Sequence, residues 1–216
     1  MAILETLRDL SILGVAGMAM YGLDAWRREH TGRRQIELAE ETLALFYEAR
    51  DVIKHIRAPM SFGSETADIE RVEGETEQDW VARRNASVAY RRYDSHRDLF
   101  SRIHSLRYRF MAQIGRTEAE PFQELRSIVT EILSAADALA RLWPRGHFRT
   151  EDQLEVHHER VEKYEAIFWD TMDEDDPINP RLEALFSRME ATCQKVISGG
   201  GTLYGILNRK LGVRAR

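Results

Sequence analysis

The chain holds 216 residues, with 31 Lys or Arg against 36 Asp or Glu and a net charge of −5. That length suits one domain with an appended segment, and so mild a charge gives no global case for nucleic acid. The single cysteine, Cys193, excludes an internal disulfide and a zinc site built on several thiolates. Hydrophobic residues at 43%, charged residues at 31% and only five prolines suit long amphipathic helices.

The first stretch in chain order is Leu10 to Leu23, which carries no charged side chain. Its apolar members include Leu10, Ile12, Leu13, Val15, Met18, Met20 and Leu23, and Trp26 follows as an interfacial aromatic. Arg27, Arg28, Arg33 and Arg34 come next, while only Arg8 precedes the run. The pattern predicts a membrane anchor, with the N-terminus outside and the remainder in the cytoplasm. At about 1.5 Å per residue the run reaches roughly 21 Å, short of a hydrocarbon core of about 30 Å. Ile3, Leu4 and Leu7, with a snorkelling Arg8, lengthen it. Two other readings stand beside the anchor. One is a soluble helix that packs in a core or docks on a partner. The other is a cleaved signal, which the acids Glu5 and Asp9 disfavour. Gly14, Gly17 and Gly22 form no G-x-x-x-G pair.

Ile36, Ala39, Leu43, Phe46 and Ile53 predict a helix over 35–57, continuous with the anchor. Residues 58–75 read as a long loop bounded by Pro59 and Gly74, with room for function. Thr76, with Asp79 three residues on, caps a helix predicted to run to Ile114, stopped by Gly115. Thr117 and Glu120 form a capping-box pattern before Pro121. Phe122, Leu125, Val129, Ile132, Ala136, Leu139 and Trp143 then make a heptad seam. Thr150 and Gln153 start the next helix, with a seam through Leu154, His157, Val161, Tyr164, Phe168 and Met172. An acidic loop, Asp173 to Asp176, breaks at Pro177, and Asn179 with Pro180 opens a final helix to about Ile197. After Gly199, Gly200 and Gly201 comes a tail in which Leu203, Tyr204, Leu207 and Leu211 share a helical face with Arg209 and Lys210 nearby. It reads equally as a membrane-surface helix or a frayed basic end. The expected fold is therefore all-α: an antiparallel bundle of four to five long helices over 29–198, an anchor over 1–28, and a hinge with basic tail over 199–216.

Few residues suggest chemistry. A di-metal carboxylate bundle needs two Glu-x-x-His pairs. Only Glu155 and His158 make one, and Glu155 points about 140° from its helix seam. The acids at 170 and 173–176 lack the alternate spacing and glycine of a calcium loop. Nine arginines against four acids over 76–116, interleaved with Tyr90, Tyr93, Phe100 and Tyr108, resemble a nucleic-acid or headgroup surface. Residues 151–176 hold eleven acids against two bases, so the simplest expectation is that the two segments face each other. Arg50 and Asp51 are candidates for pairing with other helices. Cys193 reads as a small core residue. Nucleotide-loop, nucleophile-elbow and zinc-protease patterns do not occur. Neither a cofactor nor a catalytic residue is expected.

Trp26-Arg27-Arg28-Glu29, Gly32, Glu37-Leu38-Ala39, Tyr47, Arg50-Asp51, Ile53, Arg57 and Pro59 resemble a group of uncharacterised proteobacterial proteins. Those have a short N-terminal hydrophobic segment followed by a helical region. The likeness covers about a sixth of the chain; it implies a bacterial inner-membrane setting and carries no activity. Together these readings predict a non-enzymatic, membrane-tethered bundle that serves as a protein-binding scaffold or sensor. The alternative is a soluble helical protein whose apolar N-terminal helix drives oligomerisation or docking. A carboxylate-bridged metal enzyme ranks third.

Overall fold

A computed structural model describes residues 2–144, 146, 148–171 and 175–199; in the first helix the described side chains are those of 22, 26 and 29 onward. The described residues are all-helical: α1 (Ala2–Arg57), α2 (Glu77–Ser95), α3 (Arg97–Gln113), α4 (Glu120–Leu142), α5 (Glu151–Phe168) and α6 (Asn179–Gly199), with 3-10 turns at Gly63–Thr66 and Thr117–Ala119. The chain divides into two compact units, Met1–Glu41 with Thr192–Arg216, and Thr42–Ala191.

In the first unit α1 is helical from Ala2, and Gly32 does not interrupt it. Its first buried side chain among those described is Leu38. Among the described residues no helix is long and apolar enough to cross a membrane. The expected transmembrane span is thus not supported, because Arg8, Asp9 and Asp24 bracket the run before it reaches bilayer length. Cys193 is buried, and burial pushes its thiol up to about 12, as suits an inert core residue.

The second unit is built around α4, whose seam is buried almost throughout. Phe122 stands at its start, 4.9 Å edge-on from Phe46 of α1 and 5.2 Å from Phe110 of α3. Phe46 in turn meets Phe186 of α6 at 6.1 Å. Four helices therefore share one aromatic centre, where edge-to-face contacts add to the area buried. Ion pairs set direction: Arg181 meets Glu131 and Arg188 meets Glu124, so α6 runs antiparallel to α4. The guanidinium of Arg50 lies over the Tyr47 and Phe186 rings, while Asp51 is exposed.

Several sequence expectations change. The helix predicted over 76–114 is two helices, α2 and α3, broken at His96. There Ser95 Oγ donates to the Arg92 carbonyl and the His96 amide bonds back to Tyr93, tightening the turn. Thr76 does cap α2, accepting from the Asp79 amide at 3.1 Å. The Thr117–Glu120 capping box does not form. α4 starts after a 3-10 turn with no side-chain cap, and Pro121 removes one of the amides that would need an acceptor. Gly115 precedes that turn at φ +158, where a Cβ would strike the Glu118 carboxylate. α5 ends at Phe168 and buries only Ile167 and Phe168, so the N-terminal part of its expected seam is open; Leu154 is 38% exposed. Met172 lies outside the described residues. Nor do the ion pairs of Arg83, Arg91, Arg92 and Arg97 involve α5; their carboxylate partners are Glu75, Asp68, Glu65 and Asp94.

The acidic run ends in a buried ion pair. Arg57, the last residue of α1, is 1% exposed and Asp176 is 3% exposed. Arg57 donates from Nη1 and Nη2 to the two Asp176 oxygens at 3.1 and 2.7 Å. Its remaining capacity goes to the carbonyls of Ala166, Ile167 and Trp169 at the end of α5 and to Asn179 Oδ1. Asp176 Oδ1 also accepts from the Ile178 and Asn179 amides, both at 2.8 Å. Asp176 is therefore the cap of α6, and Asn179, expected in that role, instead joins Arg57 to Asp170.

Burial raises the Asp176 pKa, but the Arg57 hydrogen bonds and the two amides outweigh it and hold the carboxyl below its ordinary value. Its stabilisation is thus complete above the unfolded value of about 3.9 and is lost as pH falls through the lower folded value. Urea unfolding at pH 7 should show Arg57→Met destabilised by about 3–5 kcal/mol, because a buried carboxylate is left unpaired. The double change Arg57→Met with Asp176→Leu should lose less than the sum of the single changes. Asp176→Asn should flatten the acid limb of stability measured below pH 4.

Candidate functional site

The arginine-rich stretch of α2 and α3 divides by partner. Three of the four arginines of α2, Arg83, Arg91 and Arg92, hold the 58–75 loop. Arg92 donates to Glu65 at 2.8 and 3.0 Å, to the carbonyl of His55 in the last turn of α1, and to those of Ala58 and Met60 beyond it. Arg83 makes a two-point contact with Glu75 and reaches the Glu70 carbonyl. Arg91 meets Asp68 at 2.6 Å. Arg84 lies over the Trp80 ring, whose Nε1 donates to the Ile69 carbonyl. Gly74, at φ +85, closes the turn that brings Val72 and Glu75 together. The Arg83 hydrogen bonds, with the Val72 amide, hold the Glu75 carboxyl down to about 2. Arg92 likewise lowers Glu65. His55 is lowered by burial and then by the Arg92 charge. The loop's acids thus consume the charge of α2 that was expected to face α5, and the loop is strapped down along its length.

Arg97 and Arg107 of α3 face a different environment. Between α3 and α4 lies a groove of about 370 Å³. Its floor is the buried Ile103, Phe122, Leu125 and Val129. Tyr93 and Phe100 stack at 5.1 Å on one side. Arg97, His104, Arg107 and Arg126 are the basic side chains of the lining, and no carboxylate lines it. Periodicity explains the arrangement: Arg97, Ser101 and His104 share one face of α3, and Arg126, Val129, Thr130 and Leu133 share one face of α4. Arg97 is held by Asp94 at 2.5 Å. Among the described residues Arg107 meets only the neutral Gln123 Oε1, at 3.1 Å, and its buried Nε has no partner. Arg126 has no carboxylate partner among the described residues. A buried donor left unsatisfied costs about 1–3 kcal/mol, so an acceptor entering the groove would be favoured.

Most of the other expected site residues lie outside the described residues or side chains. The side chains of Leu10, Ile12, Leu13, Val15, Met18, Met20, Leu23, Arg27 and Arg28 lie outside the described side chains, although their backbone is in α1. Trp26 is 62% exposed and stacks on His30 at 5.6 Å. Arg33 pairs with Glu37 and Arg34 is exposed. Leu203, Tyr204, Leu207, Arg209, Lys210 and Leu211 fall outside the described residues. Glu155 and His158 are exposed, and among the described residues no cluster of metal-ligating side chains occurs. The sequence did show interleaved arginines and aromatics. It gave no sign that Tyr93 and Phe100 would sit with Arg126, which lies on another helix.

Arg92→Gln should lower stability by about 2–3 kcal/mol, the partial solvent access of Glu65 trimming the loss, and should raise amide exchange over 59–75. Arg91→Gln, whose partner is exposed, should leave both readings close to wild type. Comparison with protein-family models, with curated proteins and with solved structures finds no match for this chain.

Proposed function

We propose that this protein is a non-enzymatic helical bundle that acts as a binding scaffold or sensor, tethered to the cytoplasmic face of a bacterial inner membrane by the N-terminal end of α1. The observation that carries the reading is the composition of α1. A run of 14 uncharged residues, Leu10–Leu23, occurs in a helix whose exposed residues 29–31, 33, 34 and 37 are polar or charged. Apolar side chains at a helix end gain from burial in lipid or protein, and the arginines after the run suit an anionic cytoplasmic leaflet. Trp26, exposed in the chain itself, suits the headgroup layer. The scaffold or sensor role draws on the second unit, where arginines pair with carboxylates and helix-end carbonyls that hold the fold.

A second reading has the same run docking into a partner protein or another copy. The absence of a helix of spanning length and apolarity among the described residues favours it. Alkaline washing of membranes separates the two. The full chain should remain with the washed membrane, and Leu13→Asp with Val15→Asp should release it with its helix content intact by circular dichroism. A full chain that is washed off, and whose double variant changes oligomeric state, would establish the docking reading instead.

A further inference from the structure

We propose that the groove between α3 and α4 binds a single-chain amphiphilic anion, a carboxylate on an unbranched apolar body. This deepens the sensor reading by naming what is sensed, and it does not depend on the membrane tether. Three observations converge on it. The floor is apolar and already buried at Phe122, Leu125 and Val129, so an alkyl chain laid on it meets packed carbon. The charged part of the lining is basic, and two of its guanidiniums, Arg107 and Arg126, have no carboxylate partner among the described residues. The Arg107 Nε is buried without an acceptor, and a carboxylate would supply one.

Size sets the class. At roughly 30 Å³ per non-hydrogen atom, the volume of a water molecule in the liquid, a space of about 370 Å³ takes about a dozen such atoms, the size of decanoate. The charge pattern argues for one head rather than a polyanion. Asp94 and Asp98 interrupt the basic surface at one end of α3, and Glu118, Glu120 and Glu124 follow at the other. A phosphate backbone needs a continuous basic track, and these acids break it. In the bound arrangement Arg107 and Arg126 hold the carboxylate, and the chain lies along Phe100 and Val129.

The test is photolabelling of the purified full chain with decanoic acid carrying a terminal diazirine, against the matching decanol, with labelled peptides mapped by mass spectrometry. The acid should label peptides containing 100–107 and 122–133 at least tenfold more than the alcohol does, and unlabelled decanoate should compete. Replacing both arginines (Arg107→Gln with Arg126→Gln) should cut labelling by the acid at least tenfold and leave the alcohol unchanged, with helix content preserved. Equal labelling by acid and alcohol, label mapped elsewhere, or indifference to the arginine variant would overturn the proposal. So would competition by inorganic phosphate as strong as that by decanoate, since the apolar floor would then contribute nothing. Loss of labelling leaves the membrane-wash result intact, and release from the membrane leaves the labelling intact, so the two readings fail separately.

Discussion

The buried contact between Arg57 and Asp176 is the constraint on which the second unit depends. A charge pair removed from water loses hydration that mutual attraction restores only when every remaining donor and acceptor is used. Here the guanidinium meets both carboxylate oxygens, three carbonyls and the Asn179 side chain, while the carboxylate takes two backbone amides. The partners come from the end of α1, the end of α5, and the start of α6. The contact therefore fixes where three helices meet, although the end of α1 lies 109 residues from Ala166 and 119 from Asp176 along the chain.

Helix dipoles explain why this pair suits its place. The carbonyl end of α5 carries partial negative charge, and it receives the Arg57 cation. The amide end of α6 carries partial positive charge, and it receives the Asp176 anion. The acidic run after α5, which opposes that helix's own dipole, is resolved because its last member belongs to the next helix. Arg92 repeats the device at the end of α1, where it satisfies carbonyls that the helix leaves open. Two arginines thus close two helix ends, and one of them also holds the loop through Glu65.

Charge used in this way leaves a simpler surface elsewhere. The loop's acids occupy Arg83, Arg91 and Arg92 of α2, and Arg97 and Arg107 of α3 line the groove. α5 is lightly held by contrast. Trp143 bonds Glu165 at 2.7 Å and packs on Phe168, and Leu154 and Val156, earlier in the helix, remain exposed. Stability is then unevenly spread: the aromatic centre on α4 is dense, and the first turns of α5 rest on few buried contacts.

The sequence by itself determined the helical class, the seam of α4, the caps at Thr76 and Thr150, and the core position of Cys193. These are local properties, set by periodicity and by hydrogen bonds a few residues long. It also marked an apolar run too short to span a bilayer unaided. Tertiary structure alone decided the rest. The break at His96 and the uncapped start of α4 follow from turn geometry that no periodicity encodes. The partners of the arginines were beyond the sequence because an acidic loop and an acidic helix have the same charge on paper. Only the fold brings Glu65, Asp68 and Glu75 to α2, and leaves the first turns of α5 exposed. The groove has the same origin: its arginines lie on two helices, and spacing along one chain cannot reveal that they share a wall.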